Sequence, residues 1–121
     1  MEVPILKQGD FLIATIQAAL TDADLMQLRS ALVHQVVRVR SMAVIVDVTA
    51  LDVMDSFATR TLREIAHMIR LRGAETVIVG IQPEVAMSMV QLGLTLEGVT
   101  TCLDLEEGLV YLNQKKAKST G

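Results

Sequence analysis

Apolar runs alternating with amphipathic stretches predict an α/β fold: a mixed β-sheet with an N-terminal antiparallel hairpin followed by parallel strands, and four α-helices packed around it. Three observations carry this. AVIVDV at 43–48 and ETVIVGI at 75–81 are nearly continuous in β-branched and aliphatic residues, as strands covered on both faces require. Between them apolar residues recur at spacings of three and four, the period of a helix, so strand, helix and strand form a right-handed parallel crossover. Ahead of both lie VPILKQG and FLIATIQ, short segments rich in strand formers, separated by Gln8, Gly9 and Asp10, which suit a hairpin.

Each element follows in order. After the two hairpin strands, Thr21 or Asp22 can cap a first helix whose apolar stripe is Leu25, Leu28, Leu32, Val36 and Val39. AVIVDV is the next strand. The second helix opens near Ser56, carries Ala58, Leu62, Ile65 and Ile69 on one face, and ends at Gly73, a residue favoured in a left-handed cap. ETVIVGI follows as a strand, and Pro83 suits the first turn of a short third helix that stops at Gly93. VTTCL is the last strand. Asp104 with Glu107 three residues on is a capping box for a final helix that turns Leu105, Leu109 and Leu112 inward.

The chain's 121 residues, 51% of them hydrophobic, suit one domain over 1–121 with a core of ordinary size. Residues 114–121, a basic tail rich in small side chains, are expected to be flexible. No apolar stretch approaches the roughly 18–20 residues of a membrane span, and the N-terminus has no basic region leading into an apolar one, so a cytoplasmic protein with no membrane partner is expected. The single cysteine, Cys102, has an apolar neighbour and no base close in sequence, and is expected to be a buried, inert thiol. A net charge of −3 with 2% aromatics disfavours nucleic acid. His34 and His67 fall opposite core positions on their helices, and no carboxylate or thiol cluster accompanies them, so no metal is assigned. Phosphate-loop, dinucleotide and nucleophile-elbow motifs are absent, so neither a cofactor nor catalysis by the chain is expected. A receiver-like role for Asp47 would need acidic metal ligands after the first strand and a lysine after a late one. Lys7 and Lys115 do not stand there.

The stretch DVTALDVMDSFATRTL at 47–62 is where chemistry concentrates. Functional crevices of open α/β sheets lie beyond the carboxyl ends of parallel strands, and this segment leaves a strand at that edge. Asp55 or Ser56 could simply cap the second helix, a contribution of about 1 kcal/mol. The sharper expectation is that Ser56 is a phosphorylation site, because a helix N-terminus presents unpaired amides and a positive dipole end. Arg60, four residues on, could pair with the phosphate, and Thr59 is a less well-placed hydroxyl, as are Ser88 and Ser119. Phosphorylation beside Asp52 and Asp55 would repel an acidic partner or disturb apolar contacts made by Met54 and Phe57, though both could instead belong to the core. Arg60, Arg63, His67 and Arg70 recur at three, four and three, a basic stripe that is either a solvated face or a surface for an acidic partner.

VIVDVTALDVMDSFATRTL resembles the signature of STAS domains of the anti-sigma-factor-antagonist type, in which an Asp-Ser pair opens the second helix. The resemblance covers essentially the whole chain. GIQPEVAMSMVQLGL at 80–94 and ALTDADLMQL at 19–28 extend it toward the small scaffold subunits of stressosomes. Many antagonists have Ser-Ser-Gly after the aspartate, whereas Phe57 and Ala58 follow Ser56 here, a departure that favours the scaffold role over direct sigma-pathway partners. The resemblance implies a non-enzymatic scaffold and antagonist that sequesters a serine kinase of the histidine-kinase-like ATPase superfamily and releases it on phosphorylation of Ser56. It implies further partners: a larger STAS paralogue with an N-terminal sensor domain, a cognate phosphatase, and copies of the chain in a homo- or hetero-oligomer. Contacts with partners are expected from Asp52, Met54, Asp55, Phe57, Thr59, Arg60 and Arg63. The alternative is a lone antagonist that binds one partner as a monomer or dimer.

Overall fold

The computed structural model describes residues 2–120. Strands β1 (Ile5–Gln8), β2 (Phe11–Thr15), β3 (Ala43–Asp47), β4 (Glu75–Val79) and β5 (Thr100–Cys102) form a single sheet in sequence order. Four helices accompany them: α1 (Asp22–Val39), α2 (Ser56–Leu71), α3 (Pro83–Gln91) and α4 (Leu105–Thr120). β1 and β2 pair antiparallel and every later pair is parallel, as the patterning predicted. The hairpin is tighter than the sequence suggested: Gln8 pairs with Phe11 inside the ladder, so the turn is Gly9 and Asp10 alone.

Strand alternation sorts the core into two layers. Leu12, Ala14, Val44, Val46 and Ile78 point to the face covered by α1, α2 and α3, where Leu28, Leu32, Leu62, Ile65 and Ile69 meet them. Phe11, Ile13, Ile45, Val77 and Val79 point to the other face, under Leu105, Leu109 and Leu112 of α4. Gly108 lets α4 lie close to the sheet, because a Cβ there would stand 2.9 Å from Cγ1 of Val79. Of the α1 stripe, Leu25, Leu28, Leu32 and Val36 are buried and Val39 packs at the margin. Thr21 is the N-cap, its hydroxyl accepting from the Asp24 amide while the Asp24 carboxylate accepts from the Thr21 amide, each at 3.1 Å.

The C-terminal segment departs from expectation. Residues from 114 to Thr120 continue α4 as helix instead of forming a loose tail. Gly121 and the hydroxyl of Ser119 lie outside the described residues. The reason is long-range pairing: Lys115 bridges to Glu75 at the start of β4, and Lys116 to Asp10 in the hairpin turn. Glu75 also accepts from the hydroxyls of Tyr111 at 2.7 Å and Thr100 at 2.9 Å. Burial pushes the Glu75 carboxyl up, but hydrogen bonds from Lys115, Tyr111 and Thr100, with the Lys115 charge, outweigh it and hold the carboxyl below its ordinary value of 4.5. A depressed carboxylate stabilises the fold above its unfolded pKa, and that contribution is lost as pH falls through the folded value. Lys115 is mostly exposed, so the effect is screened. Glu75→Gln is therefore expected to cost about 1 kcal/mol or less at neutral pH in urea unfolding, with the gap from wild type closing below about pH 4.

Cys102 is half-buried, not fully enclosed. Desolvation, then the charges of Glu107, Glu75 and Asp104, push its thiol up, which keeps it protonated and unreactive at neutral pH. The box at α4 is present in modified form: the Glu107 amide donates to Asp104 at 2.8 Å, while the Glu107 carboxylate accepts from the Leu103 amide at 3.2 Å. No described helix is long and apolar enough to cross a membrane, and no described cluster of His, Cys, Asp and Glu could hold a metal ion.

Candidate functional site

β3 ends at Asp47, and residues 48–55 form the loop that delivers Ser56 to the first turn of α2. The loop is built around Asp47, whose Oδ1 accepts from the Thr49 amide at 2.9 Å and the Thr49 hydroxyl at 2.6 Å. It is braced from the side as well. The Gln82 amide nitrogen donates to the Thr49 carbonyl at 2.7 Å, and the Val48 amide donates to Val79 at 3.0 Å, so the loops after β3 and β4 are tied together. Gly80, at φ +82°, fits under Thr49 only because it lacks a side chain. Asp47 is thus a turn-forming carboxylate. Sequence reasoning found Asp47 but missed Thr49, Gly80 and Gln82; the signal was a glycine directly after a buried strand, in GIQP.

At the helix start, Asp55 is the N-cap and its Oδ1 accepts from the Ala58 amide at 2.8 Å. Ser56 occupies the first helical position, exposed. The capping role left open between the two residues belongs to Asp55. Loss of that cap in Asp55→Ala is expected to lower stability by about 1 kcal/mol in urea unfolding.

The other expected contact residues divide. Asp52 and Arg60 are exposed, and Phe57 is half-buried. The Arg60 guanidinium lies back along the helix, its Nε 3.4 Å from the Ser56 carbonyl oxygen. Met54 and Thr59 do not face outward. Met54 is 4% exposed and packs in the core with Leu51, so the loop's exposed apolar residue is Val53, at 65%. Thr59 is buried and its hydroxyl donates to the Asp55 carbonyl at 2.9 Å, which withdraws it from a partner or a kinase in this conformation. Arg63 is half-buried and donates to the Thr95 carbonyl at 3.1 Å, while Arg70 donates to that of Gly98. Two members of the basic stripe therefore strap the α3–β5 connection to α2, while Arg60 and His67 stand exposed beside them. His34 is exposed on α1 as expected.

A braced loop, an aspartate cap and an exposed serine at the first helical position form one surface, with Val53 beside it. The family model described as STAS domain matches residues 2–108. The chain belongs to the STAS domain family. Among STAS proteins it is similar to the RsbT co-antagonist protein RsbRA of Bacillus subtilis (strain 168), 35% identical over 93 residues, which are 74% of this chain and 34% of that protein. The co-antagonist RsbRC of the same organism is 31% identical over 67 residues, 55% of this chain and 24% of that protein. The chain thus spans about a third or less of the curated relatives it matches. Solved structures match along the length. A serine-to-glutamate variant of Moorella thermoacetica RsbS is 35% identical with a TM-score of 0.83, covering 97% of this chain and 99% of that one. A chain from a structure described as the molecular architecture of the stressosome, a signal integration and transduction hub, is 34% identical with a TM-score of 0.76, covering 93% and 98%. The anti-sigma factor antagonist SpoIIAA in its unphosphorylated form shares the fold at 13% identity and a TM-score of 0.69, covering 93% and 97%. This STAS domain is of the stressosome type, RsbS- and RsbR-like.

Proposed function

We propose that the chain is a non-enzymatic, phosphorylatable scaffold and antagonist of a stressosome, and that Ser56 is its switch. In this reading unmodified chain holds a serine kinase of the histidine-kinase-like ATPase superfamily at the surface formed by Asp52, Val53, Asp55, Ser56, Phe57 and Arg60. The kinase phosphorylates Ser56 and is released, and a cognate phosphatase restores the bound state. The observation that carries the reading is the exposed Ser56 at the first position of α2, beside a cap made by Asp55 and not by the serine itself. Phosphate there adds a charge of about −1.5 to −2 next to the exposed carboxylates of Asp52 and Asp55. Local repulsion and desolvation then switch affinity without refolding. Similarity to RsbS and to RsbT co-antagonists supports the antagonist role.

Assembly is the second part of the proposal. β1 forms one edge of the sheet, with Leu6 62% exposed, and an open strand edge next to an exposed aliphatic side chain suits contact with another STAS domain. The occupants proposed are further copies and a larger STAS paralogue carrying an N-terminal sensor domain. Light scattering of the pure chain and of its mixture with the paralogue tests this. A defined oligomer in either sample is expected; a strictly monomeric chain in both would reduce the reading to a lone antagonist. Phosphosite mapping after incubation with kinase and ATP tests the switch, with Ser56 expected as the main site and a modification centred elsewhere removing it.

A further inference from the structure

The parallel topology sorts charge to the two ends of the sheet. The helices begin beyond the carboxyl ends of the strands and run back to the opposite edge, and α1 and α4 carry acids in their first turns and cations in their last, as helix dipoles favour. At the end that holds Ser56, Asp22, Asp52, Asp55 and Glu84 are exposed, and so is the aliphatic Val53. At the other end Arg38, Arg40 and Arg72 are exposed. Their side chains make no hydrogen bond or ion pair among the described residues. Arg40 and Arg72 close α1 and α2 three residues before Ala43 and Glu75, which pair in the sheet, so they hold equivalent places at that edge. Leu71, next to Arg72, is 86% exposed. Of the acids there, Asp10 and Glu75 are already bridged by Lys116 and Lys115, and Glu97 is the third, so cations remain in excess.

Arg40 carries a second mark. It holds φ +51°, the left-handed region disfavoured for residues with a side chain, and no other non-glycine does so among the described residues. Glycine would close α1 without that strain, as Gly73 does after α2 at φ +84°. A guanidinium is thus kept at an exposed position against a backbone preference.

We infer that this cationic end binds the acidic end of a second copy, head to tail. Arg38, Arg40 and Arg72 of one copy face the carboxylates around Ser56 of the next, and Leu71 meets Val53. The occupant follows from complementarity within the chain itself, since one end sets cations around an exposed aliphatic side chain and the other sets carboxylates around one. The contact is heterologous, so a row of copies keeps one free end of each kind. It is separate from the β1 edge and does not require Ser56 to be a switch.

Two variants test it: a tail-reversed chain, Arg38→Glu/Arg40→Glu/Arg72→Glu, and a head-reversed chain, Asp52→Lys/Glu84→Lys. Each keeps one native end, so neither should associate head to tail alone, whereas their mixture restores one native contact. The isotope-labelled tail-reversed chain is titrated with the head-reversed one and followed by amide NMR. Saturable shifts at residues 52–56 are expected, with a Kd on the order of 0.1 mM that weakens at least about tenfold between ~0.05 M and ~0.5 M salt. In the otherwise native chain, Arg40→Gly should weaken self-association about threefold and leave the melting midpoint unchanged or higher, a split that a merely structural arginine would not give. Ser56→Asp adds a charge to the acidic end and should strengthen self-association, opposite in sign to its expected effect on a kinase. No saturable shifts in the mixture would overturn the inference, as would an affinity independent of salt. Shifts confined to Ile5–Gln8 would also overturn it, by giving the contact to the sheet edge. So would shifts at Arg38, Arg40 and Arg72 of the native chain with an oligo-aspartate peptide but not with a second copy, which would assign that end to a different acidic partner.

Discussion

Gly80→Ala is expected to destabilise the protein by at least about 2 kcal/mol, a cost with two parts. The first is conformational: Gly80 has φ +82°, a region that costs an L side chain roughly 1–2 kcal/mol. The second is steric: a Cβ at that position would stand 2.0 Å from Oγ1 of Thr49 and 3.0 Å from its Cβ, so one of the two loops must move. Movement of Thr49 breaks its bonds to Asp47 and Gln82, which hold the segment that carries Ser56. Urea unfolding should therefore show a clear loss, and amide exchange should rise in residues 48–55. Adding Thr49→Gly to Gly80→Ala removes the hydroxyl clash and should recover part of the loss, leaving the φ cost. A single variant as stable as wild type would mean that the two loops are not braced as described.

The largest functional effect is expected at Ser56. Ser56→Ala should keep kinase affinity within about twofold and leave stability nearly unchanged, because the cap is the Asp55 carboxylate. Ser56→Asp should lower affinity on the order of tenfold, and phosphoserine by more, since a carboxylate supplies one charge where phosphate supplies nearly two. Arg60 shapes the size of this effect. Its guanidinium is one helical turn from the switch and already directed at the Ser56 carbonyl, so it can draw the phosphate back along the helix. Arg60→Ala in the phosphorylated chain should change the affinity of that form and leave the unmodified form little affected.

Particular residues show what the sequence disclosed. The α2 stripe of Leu62, Ile65 and Ile69 and the apolar run of β4 were legible because burial on a regular element imposes a period, and the buried positions match it. The start of α2 at Ser56 was legible because an aspartate directly before a helical period marks an N-cap. Met54 and Val53 could not be told apart in that way: the loop between β3 and α2 has no period, and which side chain turns inward follows from the core around Leu51. The straps from Arg63 to Thr95 and from Arg70 to Gly98 span 32 and 28 residues, so a stripe read along one helix could not reveal them. The helical course of the C-terminal segment was hidden for the same reason, since its anchor Glu75 lies 40 residues from Lys115. Gly80 was visible as a glycine, but the threonine it makes room for lies on another loop.

The central claim is that the charge state of Ser56 sets partner affinity on a surface that is otherwise already formed. Calorimetric titration of the purified kinase into unmodified and Ser56-phosphorylated chain, at one salt concentration and with matched unfolding curves for both forms, tests it most directly. Tight binding of the unmodified form, at least about tenfold weaker binding of the phosphorylated form, and superimposable unfolding curves are the expected result. Equal affinity for the two forms, or a loss of affinity accompanied by unfolding of the 48–58 segment, would contradict it.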